Sequence, residues 1–426
     1  MTSADLPSGA STGDSQSSAL AVASIILSMS LLAIGNGLLF AYVPLRLAHE
    51  GLPPFWAGAI LTALSAGGMV GCLLAGPMVR RIGHARAFFA LVSMLLASNV
   101  LVALDTEPLP WMAYRSLYGF AINGLFIVAQ SWMNDAVGNA VRGRVMAAFY
   151  IAYIAGLGLG SLISGFVPIA TPAAPLIAVG FAVLSMIPVA LARPKQPPPP
   201  EAASIAFAKA WRISPVGVAG MLASGGLSMM VAGFTPIHAT ASGFSQSDVS
   251  ILLVSMQLGT ILFQLPFGWL SDNTDRRYVL IAVAALVALF GILAFQTQEA
   301  PFLLIVAIFV IWSGVTESIY SISSAHANDR AEPDDLVALA STMLFSWSLA
   351  GFVTPGIATL LTAWAGTQAF MGLAVGVALA FCLFVTWRTI ATPRPVQAAT
   401  FAPMSAQAPL PTELAFPNDP PDGPRN

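Results

Sequence analysis

Apolar residues come along this chain in long runs, each about the length of a helix, and short polar stretches separate them. A helix that crosses a bilayer needs ~20 mostly apolar residues. Cutting the sequence where charge, proline and glycine cluster leaves twelve such segments: 20–46, 55–79, 86–104, 111–133, 144–167, 174–192, 214–238, 248–270, 278–296, 301–325, 337–362 and 367–389. The pattern predicts an all-α membrane protein with twelve transmembrane helices.

Composition agrees. The 426 residues are 57% hydrophobic and 8% charged, against roughly a quarter charged in ordinary soluble domains. Too few polar residues exist to coat a water-soluble globule of this size. Residues 1–18 lack the positive region that precedes the core of a cleavable signal, so the first span is expected to stay in place. Cys72 and Cys382 both fall inside apolar runs and read as small buried hydrophobes with no disulfide.

The charges fix an expected orientation. With the N-terminus cytoplasmic, 15 of the 17 lysines and arginines fall on the inner side, and only Arg46 and Arg115 do not. No N-x-[ST] glycosylation site interrupts this picture. The expectation is a multi-pass protein of a bacterial inner membrane with both termini cytoplasmic.

Two stretches are not membrane structure. Residues 193–213, with "RPKQPPPP", read as a cytoplasmic linker, and "IAFAKAWRI" within it as a short interfacial helix. Residues 390–426, rich in proline and alanine, read as a disordered tail. They bound two units, one over 19–192 that follows a tail at 1–18 and precedes the linker, and one over 214–389 between linker and tail.

The two units repeat. At an offset of 192, Pro44 matches Pro236, Gly51 matches Gly243, Gly67 matches Gly259 and Gly76 matches Gly268; at 194 or 195, Asn134-Asp135 matches Asn328-Asp329 and Gly156 matches Gly351. One six-helix unit has been duplicated, which predicts two pseudo-symmetric six-helix bundles. Parallel repeats of this kind are related by an axis along the membrane normal and hold a solute site at their interface.

"GWLSDNTDRR" (Gly268 to Arg277) and "GPMVRRIGHAR" (from Gly76) occupy equivalent loops, and "RSLYG" (Arg115 to Gly119) lies in the fourth span. On these residues the chain, over roughly 20–390, resembles the major facilitator superfamily. The family's loop signature runs Gly-x-Leu-(Ala/Ser)-Asp-(Arg/Lys)-x-Gly-(Arg/Lys)-(Arg/Lys). The second copy keeps Gly268, Leu270, Ser271, Asp272, Arg276 and Arg277 but has Asp275 in place of the glycine. The first keeps Gly76, Arg81 and Gly83 but has Arg80 in place of the aspartate. "GLGLGSLISG" in the fifth span is similar to the glycine-rich run of many antiporters, without its usual proline. "GHAR", "SWMND" and "ANDR" together are similar to a bacterial subgroup largely without assigned substrates.

The resemblance implies that the loop aspartate sits near the start of a helix in the opposite half, where the helix dipole favours it. Asp272 would then face "VRGRV", with Arg142 and Arg144. Arg80 would face "EPDDL", with Asp334 and Asp335, so both signs are reversed. Two cytoplasmic latches of opposite polarity are expected: Asp272 with Arg142 or Arg144, and Arg80 with Asp334 or Asp335. Asp135 and Asp329 would brace Arg81 and Arg276 within each half. The plainer account is that these arginines only satisfy the positive-inside rule and the acids only favour helix starts.

Ionisable groups at bilayer depth are expensive and usually functional. Glu317 is the only carboxylate well inside a span, about 24 Å along the tenth. Its repeat equivalent is Asn123. The resemblance implies that spans one, four, seven and ten line a central cavity, where Asn123 and Glu317 would face one another with Asn36 and its equivalent Ser228. Gln130, Gln257 and Tyr320 are further candidates.

Glu317 reads as a proton-coupling carboxylate, as a site for a substrate cation, or as a structural acid. Arg115 and Arg46 near the outer ends suggest an anionic or polyhydroxylated substrate, or else they snorkel to the outer interface. The glycines of the fifth span read as close-packing positions. His49, His84 and His326 lie in or beside loops and are expected to be solvated.

No G-x-x-x-x-G-K-[ST] phosphate loop supports an ATP-driven pump, and no cluster has catalytic or metal-ligand spacing. The expectation is a secondary transporter and not an enzyme, with a small-molecule substrate, a coupling proton and lipid as partners. No cofactor, metal or nucleic acid is expected, and the protein is expected to be a monomer. The alternative is a transporter-like receptor or assembly factor that binds without turnover.

Overall fold

The computed structural model describes residues 12–137, 139–192, 205–296, 299–332 and 335–392. Among them the secondary structure is helical throughout, in thirteen helices: α1 (Thr12–His49), α2 (Pro54–Ile82), α3 (His84–Leu104), α4 (Pro108–Ala136), α5 (Asn139–Ser164), α6 (Ala173–Ala192), α7 (Phe207–Ile213), α8 (Pro215–Ala241), α9 (Gln246–Asn273), α10 (Arg276–Gln296), α11 (Phe302–Asn328), α12 (Leu336–Ala365) and α13 (Ala369–Ala391). Eleven are long and apolar enough to cross a membrane. The chain is a multi-pass membrane protein.

The long helix outside that set is α4. It has the length, but Arg115, Asn123 and Gln130 dilute its hydropathy. Its environment explains why it tolerates them. Trp111, Arg115, Tyr118, Phe126, Gln130 and Trp132 are all buried, so α4 is walled by protein rather than lipid and need not be as apolar as its neighbours.

Several helices run through a proline: Pro44, Pro77, Pro188, Pro236, Pro266 and Pro355 are interior. Neighbouring helices re-satisfy the freed backbone groups in membrane proteins, so proline punctuates such spans less than it would a soluble helix.

Packing partners recur along the chain. α1 lies on α5 and α6, while α8 lies on α12 and α13; α2 packs on α4 as α9 does on α11; α3 touches α4 and α6 as α10 touches α11 and α13. The closest crossings are built on glycine. A Cβ on Gly67 would strike the Ser116 carbonyl and one on Gly119 the Leu64 carbonyl; Gly259 and Gly314 stand the same way at the α9–α11 crossing, against Val310 and Gly259. Backbone contact of this kind replaces the hydrophobic drive that lipid cannot supply. In "GLGLGSLISG", Gly156 and Gly160 abut the Ser30 and Ile34 backbones of α1, and Gly158 faces Gln257 of α9.

Equivalent turns share a backbone as well. Gly51 and Gly243 both hold positive φ, 73° and 83°, where a side chain would be strained. Gly83 between α2 and α3 does so too, at 80°. Its counterpart Asp275 instead accepts the Arg277 backbone N–H at 3.0 Å and pairs with the Arg277 guanidinium at 2.6 Å.

Contact between the first six helices and the later ones runs through α2 with α12 and α5 with α9, with thinner contact of α8 on α1 and α2. Hydrogen bonds close this seam at the end away from the arginine-rich loops. Thr62 meets Thr359 (3.2 Å), Ser164 meets Ser250 (2.8 Å), and the Gln246 amide donates to the Val167 carbonyl (2.6 Å). The short helix α7 lies by α12 and α8; its Trp211 rests on Phe384 of α13, and the N–H of Ala206, just before α7, donates to Thr342 of α12 at 2.9 Å.

Candidate functional site

A cavity of about 140 Å³ lies at the centre, lined from α1, α2, α4, α5, α8, α9, α11 and α12. Asn36, Asn123, Ser228, Gln257 and Glu317 all face it. Five polar residues scattered over nearly 300 positions of sequence thus share one chamber. Glu317 is the one carboxylate among its described lining residues.

The surroundings of each are specific. Asn36 donates to the Tyr153 hydroxyl at 3.3 Å. The Asn123 amide sits directly over Gly68, where any Cβ would clash with it. Ser228 lies against Glu317 but closes no well-formed hydrogen bond. Tyr150, from the first half, stands within electrostatic reach of Glu317 and bonds Gln264 of α9, which donates in turn to Ser321 at 3.0 Å. Asn123, Cys72 and Ser348 meet where α2 crosses α12, with Ser348 donating to the Cys72 sulfur at 3.5 Å.

Three other candidates stand outside the chamber. Tyr320 packs edge-on behind Trp347, which does line it. Gln130 is buried with both amide atoms unpartnered. Arg115 is 2% exposed, stacks over the Tyr118 ring at 4.2 Å and borders a separate, smaller cavity. It does not snorkel. Arg46 is engaged: it pairs with Glu50 at 2.7 Å and donates to the Ile169 carbonyl at 2.9 Å.

Aromatic residues of the chamber were not among the sequence candidates. Tyr118, Tyr150, Tyr153 and Trp347 line it, yet they read as core or interface filler in a chain this apolar. One signal was available. Tyr150, Tyr153, Ile154, Leu157 and Ser161 fall on one helical face, the i, i+3, i+4, i+7, i+11 series.

At the arginine-rich end, Arg276 is the hub of the second half. It is 3% exposed, donates to Asp329 at 2.8 Å and to the Ser271 hydroxyl at 2.7 Å, and reaches Asp272 at 3.2 Å. Arg277 also donates to the Thr392 carbonyl. Burial alone would raise the pKa of Asp275, but the hydrogen bonds and charge of Arg277 outweigh it and hold the carboxyl below its usual range.

Of the remaining latch residues, Arg80, Arg81 and Arg144 are exposed, whereas Arg142 is buried and reaches the Val137 carbonyl at 3.4 Å. Gly76 lies on α2 with only the Arg80 guanidinium near its open face, and Gly268 is buried on α9. Asp335 pairs with Lys209 of α7. Asp334 and the Asp135 side chain lie outside the described residues.

Two expectations need correction. His84 and His326 are not solvated: they are 1% and 3% exposed. Helix α3 begins at His84 itself, so the ring turns inward against Trp132 and meets the Ser131 hydroxyl at 3.0 Å. His326 is covered by Arg330, which donates to its ring at 3.0 Å.

A bundle of apolar helices around a largely apolar chamber that carries a few polar side chains from both halves of the chain is the build of a protein that carries solutes across a bilayer. The sequence profile of the Major Facilitator Superfamily matches residues 25–215 and again 216–417. The chain belongs to that superfamily and its work is transmembrane transport.

Among its relatives is the uncharacterized MFS-type transporter YcaD of Escherichia fergusonii, 26% identical over 341 residues, spanning 79% of this chain and 87% of the relative. Two solved structures share the fold. The nucleoside transporter NupG, solved as a mutant, has a TM-score of 0.67 at 15% identity, and the human organic anion transporter MFSD10 has 0.63 at 16%. Each alignment covers 86% of this chain and 99% of the other.

Proposed function

We propose that the protein is a secondary active transporter that moves a small solute by alternating access and couples the movement to protons through Glu317. In this reading two pseudo-symmetric bundles, 19–192 and 214–389, each hold six spans, with α4 as the twelfth. They rock about the central chamber as a monomer. The linker 193–213 joins them, and the tails 1–18 and 390–426 lie in the cytoplasm of a bacterium. The double match of the superfamily profile and the recurring helix partners support the repeat. The grouping of 15 of 17 basic residues on one side supports the orientation.

The single observation that carries the reading is that Glu317 is the one described carboxylate in a chamber walled by both halves. A carboxylate so placed meets water of one compartment and then the other as the halves rock, and its charge state follows the side it faces. Asn36, Asn123, Ser228 and Gln257 supply hydrogen bonds to the solute. Asp272 with Arg142 or Arg144, and Arg80 with Asp334 or Asp335, act as latches that hold the cytoplasmic end shut in the opposite phase.

The test begins with a thermal-shift screen of the purified protein against anions, sugars, amino acids and drugs, since ligands of the folded state raise the midpoint. With a ligand so found, proteoliposomes carrying a pH gradient should accumulate it. Glu317→Gln should abolish accumulation and spare solute exchange across the membrane. Accumulation at the wild-type rate in Glu317→Gln would refute the coupling role.

A further inference from the structure

Arg115 is a buried cation for which the described residues supply no ion pair. Its guanidinium is buried, its Nε and Nη1 have no hydrogen-bond partner, and its only described polar company is the Tyr118 ring beneath it, whose hydroxyl is unpartnered too. The cavity it borders, about 30 Å³, is walled by apolar side chains of α1 and α2 and by Gly233 and Ile237 of α8, with no acidic residue among its described lining residues. A buried cation with no counter-charge is costly, and a chain that leaves one unpaired in its interior invites the charge from elsewhere. The position is revealing. Phe40 and Leu64 border both this compartment and the central chamber, and Tyr118 lines the chamber side. Leu61 of α2 stands over Gly233, at the seam that the far end closes.

We propose that Arg115 is the anion-receiving group of the transport path and that the substrate is a small organic anion bearing a carboxylate or a phosphate ester. The planar fork of guanidinium matches both groups in bidentate fashion. With the head group at Arg115, the body of the molecule would occupy the central chamber against Asn36 and Asn123, since Phe40 and Leu64 border both compartments. Arg46 plays no part in this, because Glu50 and the Ile169 carbonyl already hold it. The proposal rests on the transporter reading above and adds the charge class of the cargo. It also gives Glu317 a reason to be neutral during loading, since an ionised carboxylate in the same chamber would repel the incoming anion.

The experiment uses the full chain in nanodiscs and measures thermal midpoint and equilibrium binding. The probes are lactate, benzoate, succinate and glycerol 3-phosphate, each set against its neutral counterpart: lactamide, benzamide, succinamide and glycerol. At least one anion should raise the midpoint while its neutral counterpart does not. Arg115→Gln should remove that response, and Arg115→Lys, which keeps the charge but loses the fork, should bind the same anion at least about tenfold more weakly. Arg115→Lys also covers the case in which Arg115→Gln fails to fold.

Stabilisation by neutral or cationic compounds alone overturns the proposal, as does an anion response unchanged in Arg115→Lys, or no response to any of the four anions. The transporter reading fails separately. It falls if no compound of any charge enters proteoliposomes, and it survives if a neutral or cationic solute is accumulated in a Glu317-dependent way.

Discussion

Charged side chains in this protein are judged by their company. Arg276 and Asp329 are 3% and 4% exposed and meet at 2.8 Å, so removing one strands the other in a dry site. Arg276→Ala should destabilise the protein by about 3–5 kcal/mol, read as a drop in thermal midpoint, and Arg276→Met with Asp329→Leu should recover most of it. A single mutant as stable as wild type would show the pair to be solvated. Residue by residue, polarity inside an apolar run was the readable signal: Asn36, Asn123, Ser228, Gln257 and Glu317 stood out and share the chamber. Tyr118 and Trp347 were not readable, because an aromatic ring looks the same in sequence whether it fills a core or faces a cavity; Tyr150 and Tyr153 could be found only through the shared helical face of α5. His84 misled because its neighbours are charged, while its own helix begins there and turns the ring inward.

Between elements, the informative contacts are those of α2, α7 and α12. Asp335 at the start of α12 is held by Lys209 of α7, and Arg80 near the end of α2 is exposed. In the latch reading, Arg80 takes Asp335 over from Lys209 when the arginine-rich end closes. Exposed pairs are worth about 1 kcal/mol or less each, so the expected effect is a few-fold shift in conformational balance. Arg80→Asp should slow transport by that factor, and adding Asp335→Arg should restore it; a double mutant no better than the worse single one would remove the latch. The spans were legible as apolar runs, but their ends were not. Helices such as α1 and α3 extend past the runs into polar sequence, since a bilayer sets the length of the apolar core and not where hydrogen bonding stops. Glycine spacing hinted at close crossings, while which helix each glycine met required the fold.

At the scale of the molecule, the repeat read from matched prolines and glycines recurs in helix partners and in the paired positive-φ turns at Gly51 and Gly243. What sequence could not convey is which end of the seam is closed, because conformation is a balance of small terms rather than a property of composition. Here the far end is closed, with the Thr62 and Thr359 hydroxyls 3.2 Å apart across α2 and α12. That proximity gives the most direct test of alternating access. With Cys72 and Cys382 replaced by serine, Thr62→Cys and Thr359→Cys together should form a disulfide on oxidation, since the side chains already approach within bridging distance. Transport of a ligand identified by thermal shift should then fall to background and return on reduction, with neither single cysteine having any effect. A cross-linked protein that carries its solute at the uncross-linked rate would contradict the account.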